Sequence, residues 1–209
     1  MYCNILMNII NKNNNKINNN EVVVADNNFL NYLKSEYKNV NFISSTTKCL
    51  NTPELALEEL NNSDFSLVCL DYNLNNNLKF LKSLSDEQKE KTELLINAIC
   101  YPGCPERKNH YYLNSVSHLN YGKKYNMSYC SMAEDQYNPL DKNSKFHLDY
   151  QKIKEIYEPL NFSHYKIEGR TWNDLDLLLT YCEYLIKPEY RNCVLSRAYQ
   201  IICNSYGIF

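Results

Sequence analysis

Short apolar runs alternate with stretches of helical periodicity along most of this chain, and that alternation limits the possible folds more than any other feature. Residues 22–25, 41–47, 65–70, 94–99 and 164–168 read as strands. Between the first pair, Phe29, Leu30 and Leu33 recur at helical spacing. Thr52 can cap a helix with Pro53 at its first position, carrying Leu55, Leu57 and Leu60. Leu78, Leu81 and Leu84 mark another helix, and Ser85 with Gln88 forms a capping-box start for a further turn. Ile153, Ile156, Tyr157 and Leu160 share a helical face. Thr171 caps an amphipathic helix with Leu175, Leu178, Leu179, Cys182 and Leu185, and Pro188 starts a last one with Cys193, Val194 and Ile201. Apolar strands joined by helices imply an α/β fold with a parallel sheet covered on both faces. Five strands are too few for a closed eight-stranded barrel, so the chain is either an open sheet or a barrel lacking its first units.

In both architectures ligands belong at the C-terminal ends of the strands. Asp26, Ser44, Ser45, Asp71, Asn73, Asn97, Cys100, Glu168 and Arg170 are then expected at one rim. The fourth run leads directly into a loop broken by Pro102, Gly103 and Pro105, which brings Cys100 and Cys104 together beside Arg107 and His110. Soft thiolates at such a place suit an iron–sulfur cluster or zinc. With Cys130 and one more thiol a four-iron cluster can form; with His110 instead, a zinc site of three cysteines and one histidine. Two free thiols in a tight loop is the alternative. Cys-x3-Cys also opens the radical-SAM pattern, but Arg107 stands where that pattern needs a cysteine.

Glu168 and Arg170 lie two residues apart on one strand and so point to the same side. A carboxylate beside a guanidinium can orient a substrate or serve in acid–base chemistry; a structural ion pair is the alternative. Asn97 places an amide in a strand, where it needs partners and can fix the loop. From His110 to Asn143 the pattern is weak, and Cys130 falls within that stretch. No phosphate loop, serine triad or zinc-protease helix motif is present.

Composition narrows the function classes. A net charge of -2 argues against general affinity for nucleic acid or acidic lipid. Nine cysteines, an odd number spread along 209 residues, do not resemble a secreted disulfide framework. No apolar run approaches the ~20 residues of a membrane helix. The expectation is a cytoplasmic protein with reduced thiols. The Asn- and Lys-rich tract 11–20 buries little, which marks 1–20 as a polar, disordered segment and 21–209 as one domain.

Residues 95–111, from Leu95 through the cysteine loop to Tyr111, together with His164-Tyr-Lys-Ile-Glu-Gly-Arg170, resemble the (β/α)-barrel domain of the peptidase U-32, collagenase-like family. In that family an Asn-containing strand leads into a cysteine loop, and a later strand ends in Lys-Ile-Glu-Gly-Arg. The resemblance spans roughly residues 21–190 and implies a partial TIM-type barrel. It also implies a peptidase class, the one the family takes its name from. Relatives bind a 4Fe-4S cluster through four cysteines and support oxygen-independent hydroxylation of quinones or RNA bases. Carried over, Cys100 and Cys104 match the cysteine loop, Glu168 and Arg170 the later strand, and Cys130 is a third ligand by position. The first strand–helix units of the family's barrel have no counterpart here. The resemblance therefore also allows a non-catalytic barrel, completed by a protein partner or by self-association.

Overall fold

A computed structural model describes Met7, residues 21–98, Cys100, residues 103–120, 147–169 and 174–205, and Gly207. The chain is an α/β protein. Five strands, β1 (Glu21–Val24), β2 (Asn41–Ser44), β3 (Leu67–Cys69), β4 (Thr92–Leu95) and β5 (His164–Lys166), form one sheet. Their spatial order is their chain order, and every neighbouring pair is parallel.

The connecting helices start where local chemistry dictates. Asp26 caps α1 (Asn27–Glu36), its Oδ1 accepting from the Phe29 amide at 2.7 Å. Thr52 caps α2 (Pro53–Asn61), with Pro53 in the first turn. Asn77 caps α3 (Leu78–Ser83), and Ser85 and Gln88 close a reciprocal capping box on α4 (Asp86–Glu90). α5 (Arg107–Leu119) follows the cysteine loop. A composite helix then begins as α6 (Tyr150–Lys152), widens to π geometry over Ile153–Tyr157 and tightens to a 3-10 turn over Glu158–Leu160. α7 (Asp174–Leu185) and α8 (Pro188–Ser205) pack on each other.

Strand pairing sorts the side chains into two faces. Val24 pairs with Ser44, Ser44 with Val68, Val68 with Thr92, and Leu94 with Tyr165. With Val22, Phe42 and Ile96, these residues meet Leu30 and Leu33 of α1, Ala56 and Leu60 of α2, Phe80 and Leu81 of α3, and Ile153 and Tyr157 in a single core. Leu33 and Leu81 are fully buried there, each worth about 1.5–3 kcal/mol relative to exposure. Right-handed crossovers between sequential parallel strands place successive helices on the same side of the sheet, which accounts for this one-sided core.

The other face carries Val23, Ile43 and Leu67 in one row, Cys69, Glu93 and His164 in the next, and Leu95 with Lys166 beyond. Val23 is 50 % exposed, and Ile43 and Leu67 are half-buried. The expectation of a sheet covered on both faces is met on this second face around Cys69 and Leu95, 3 % and 0 % exposed, and not at Val23.

Other differences have local causes. α5 covers the start of a stretch whose periodicity is weak, because its buried contact is a charged residue, Arg107, rather than a leucine stripe. Phe29 and Leu55 lie on the outer faces of their helices, 42 % exposed each. Met7, within the segment expected to be disordered, is buried in the main core at 2 % exposure. Thr171 and Trp172 fall outside the described residues. No helix among the described residues is long and apolar enough to cross a membrane.

Candidate site at the C-terminal rim

Arg107 is the buried centre of the rim. It occupies the first position of α5, where the helix dipole disfavours a cation, so a tertiary contact must hold it there. That contact is Asp71, just past β3, whose Oδ2 accepts from Nη1. The two residues are 4 % and 1 % exposed. Nη2 donates to the carbonyl and hydroxyl of Thr46 at 3.1 and 3.0 Å, reaching the turn after β2. Nε donates to the Tyr111 hydroxyl at 3.2 Å, and the guanidinium stacks 4.2 Å from the Tyr72 ring centre. Burial opposes the charge on Arg107, but Asp71 and the two phenols hold it above its ordinary range. A guanidinium so committed ties β2, β3 and α5 together.

Asp71 is shared. Its Oδ1 accepts from the backbone and side-chain nitrogens of Asn73 at 2.9 and 2.7 Å, capping the 3-10 turn Tyr72–Leu74. Asn73 in turn accepts from the Gly103 amide at 3.0 Å. Gly103 has φ +67, a backbone region that suits glycine, and this turn directs the chain from β4 toward α5. The loop is thereby pinned to the end of β3.

The two loop thiols lie side by side, both half-buried. Burial pushes the Cys100 thiol up to about 11; the Tyr72 hydroxyl and Arg107 pull the other way and only partly offset it. Cys100 packs against Cys69, Tyr72, Leu95 and Ala98, a small second core on the second face. Cys69 lies opposite Glu93 in the β3–β4 register, and Glu93 forms an ion pair with Lys166 at 3.3 Å. Burial, followed by the carboxylate of Glu93, holds the Cys69 thiol well above its ordinary range.

Asn97 extends the ladder between β4 and β5. Its Nδ2 donates to the Glu168 carbonyl at 2.9 Å, and its Oδ1 accepts from the Glu168 amide at 2.7 Å. The amide expected to fix the loop thus fixes the strand end that carries Glu168.

Cys100, Cys104, Arg107, Asn97 and Glu168 accordingly occupy the ends of β4 and β5 and the start of α5. Arg170 and Cys130 fall outside the described residues. His110, on α5, does not join the thiol pair: no three His, Cys, Asp or Glu side chains among the described residues are placed to share a metal ion. Toward a cluster or zinc, the described residues at this rim offer one pair of soft thiols, Cys100 and Cys104. Ser44 turns to the helix side and donates to Glu59, which Lys48 also binds, and Asp26 is a helix cap. Thr46, Tyr72 and Tyr111 are the partners that sequence reasoning missed. A buried arginine needs several acceptors and flat faces, but which residues supply them depends on contacts across 61 and 36 positions of chain.

Comparison of the chain with protein-family models, with curated proteins and with solved structures yields no match.

Proposed function

We propose that this chain is a sector of a (β/α) barrel of the peptidase U-32 kind and acts as an iron–sulfur-dependent enzyme. The observation that carries the reading is the contact between the Cys100 and Cys104 thiols at the end of β4, next to the strand end where Asn97 holds Glu168. Parallel strands in sequential order, with helices on one side, are what a barrel sector requires. Cys100, Cys104 and Cys130 would hold a 4Fe-4S cluster with a further thiolate, and such a cluster supplies one-electron transfer or substrate activation. Asn97 sets the direction of Glu168, and Glu168 with Arg170 binds and orients the substrate. Arg107 positions the loop through Asp71 and Asn73. Thiolate ligation of this type belongs in a reducing compartment, the cytoplasm.

Iron and acid-labile sulfide, measured with a visible spectrum after anaerobic purification, test the proposal. About four irons per chain, lost in Cys100→Ser/Cys104→Ser, support it. Colourless protein that resists reconstitution overturns it, and zinc analysis then decides between a structural zinc site and idle thiols.

A second reading rests on the open face. Val23, Ile43 and Leu67 form an apolar row there, and β1 and β5 are the outer strands among the described residues. A non-catalytic sector that acts through a partner, or through a second copy completing the barrel, accounts for that row. Light-scattering mass of iron-free protein checks it: a stable oligomer favours this reading and a monomer removes the self-association form of it.

A further inference from the structure

We propose that Cys100 and Cys104 form a reversible intramolecular disulfide, and that closing it withdraws both sulfurs from metal binding. The second clause rests on the iron–sulfur reading above; the first does not.

Among the described cysteines these two are distinguished by their mutual contact. Cys69, Cys182 and Cys203 are buried, Cys193 is exposed on α8, and Cys49 donates to the Thr47 carbonyl at 3.4 Å. Both loop thiols are half-buried, so a small reagent can reach them. Bond formation must draw the sulfurs together to about 2.05 Å, and the Cα atoms must sit within about 4.4–6.8 Å. The loop can make that adjustment at Gly103: a Cβ built there meets nothing within 4 Å, so the turn has free space around it. The loop is anchored by the Gly103 amide on Asn73 and the Arg107 amide on the Cys104 carbonyl at 3.4 Å.

The oxidant is a low-molecular-weight disulfide such as oxidised glutathione. Cys100 packs against the buried group of Cys69, Tyr72, Leu95 and Ala98, which assigns the first attack to Cys104. The Cys104 sulfur loses its proton and attacks one sulfur of the small disulfide. That S–S bond breaks, and the first small thiolate leaves and takes up a proton. The Cys100 sulfur then loses its proton and attacks Cys104. The second small thiol is expelled with that proton. Two protein thiols are oxidised to one disulfide, and one small disulfide is reduced to two thiols.

The test uses the full chain, reduced anaerobically and equilibrated across glutathione ratios, then acid-quenched, alkylated and digested with trypsin. Peptide 92–107 contains Cys100 and Cys104 and no other cysteine. The expected result is conversion of this peptide from doubly alkylated to unalkylated and lighter by two hydrogens, reversed by dithiothreitol. In Cys104→Ser the internal link is lost and Cys100 carries an alkyl group or a glutathione. The proposal is overturned if the wild-type peptide stays doubly alkylated at the most oxidising ratio, or if either cysteine is found joined to another peptide. Iron loading of the reduced and oxidised samples separates the two clauses. An internal disulfide in protein that binds no iron in either state sinks the cluster reading and leaves the thiol switch standing. Equal iron in both states overturns the withdrawal.

Discussion

The carboxamide of Asn97 satisfies both backbone groups of Glu168, donating to its carbonyl and accepting from its amide. A side chain thus continues the β4–β5 pairing one step past the last backbone pair, Leu95 with Lys166. Asn97 is 1 % exposed, so neither end of the bridge can be replaced by water without rearrangement.

Asn97→Ala removes its two hydrogen bonds to the buried end of the β4–β5 ladder, for an expected loss of about 2–3 kcal/mol. Asn97→Asp is expected to be at least as damaging, because a carboxylate cannot donate to the carbonyl. Urea unfolding followed by circular dichroism measures both. A loss below about 0.5 kcal/mol for either would mean that the bridge contributes little.

Arg107→Met leaves the Asp71 carboxylate buried beside an apolar side chain, at an expected cost of about 3–5 kcal/mol. Asp71→Asn keeps the cap on Asn73 and should cost less. The double variant should be less destabilised than the sum of the two, and a double-mutant cycle reads the coupling directly. Faster amide exchange at Gly103 in Arg107→Met is expected as well, since the loop loses its tie to β3.

The Cys100 thiol is held at about 11, up from an ordinary value of 9.0. Between those values the folded protein retains a proton that the unfolded chain releases, so its contribution to stability is present below about pH 9 and is lost as pH rises toward 11. The stability difference between wild type and Cys100→Ala should be flat at neutral pH and move against wild type across that window. Thermal unfolding of the pair at stepped pH measures it; a constant difference up to pH 11 contradicts the burial of the thiol.

Val23 and Phe42 sit on opposite faces of the sheet, one 50 % and the other 4 % exposed. Phe42→Ala is expected to cost about 3–5 kcal/mol. Val23→Lys should change monomer stability by no more than about 0.5 kcal/mol. If a second copy covers the open face, the same lysine should abolish association, which light scattering detects.

Much of the fold was legible in the sequence because its signals are local. Apolar runs mark five strands, and Asp26, Thr52 with Pro53, and Ser85 with Gln88 mark helix starts through bonds made within a few residues. Parallel pairing followed from strands that alternate with helices. The thiol pair was legible for the same reason, being two cysteines on one short turn. Less was legible at α5, where the apolar periodicity is weak and the buried residue is an arginine.

Period, propensity and short-range turns are enough to make this chain α/β, to place its five strands to within a few residues, and to bring Cys100 and Cys104 together beside β4. Long-range contacts settled the rest. The order of strands put the main core on one side of the sheet, because crossovers of a single hand stack helices on one side. Folding also turned Arg107 from a cation beside the thiols into a buried tie to Asp71 and Thr46, because a guanidinium out of water must find its acceptors wherever the fold brings them.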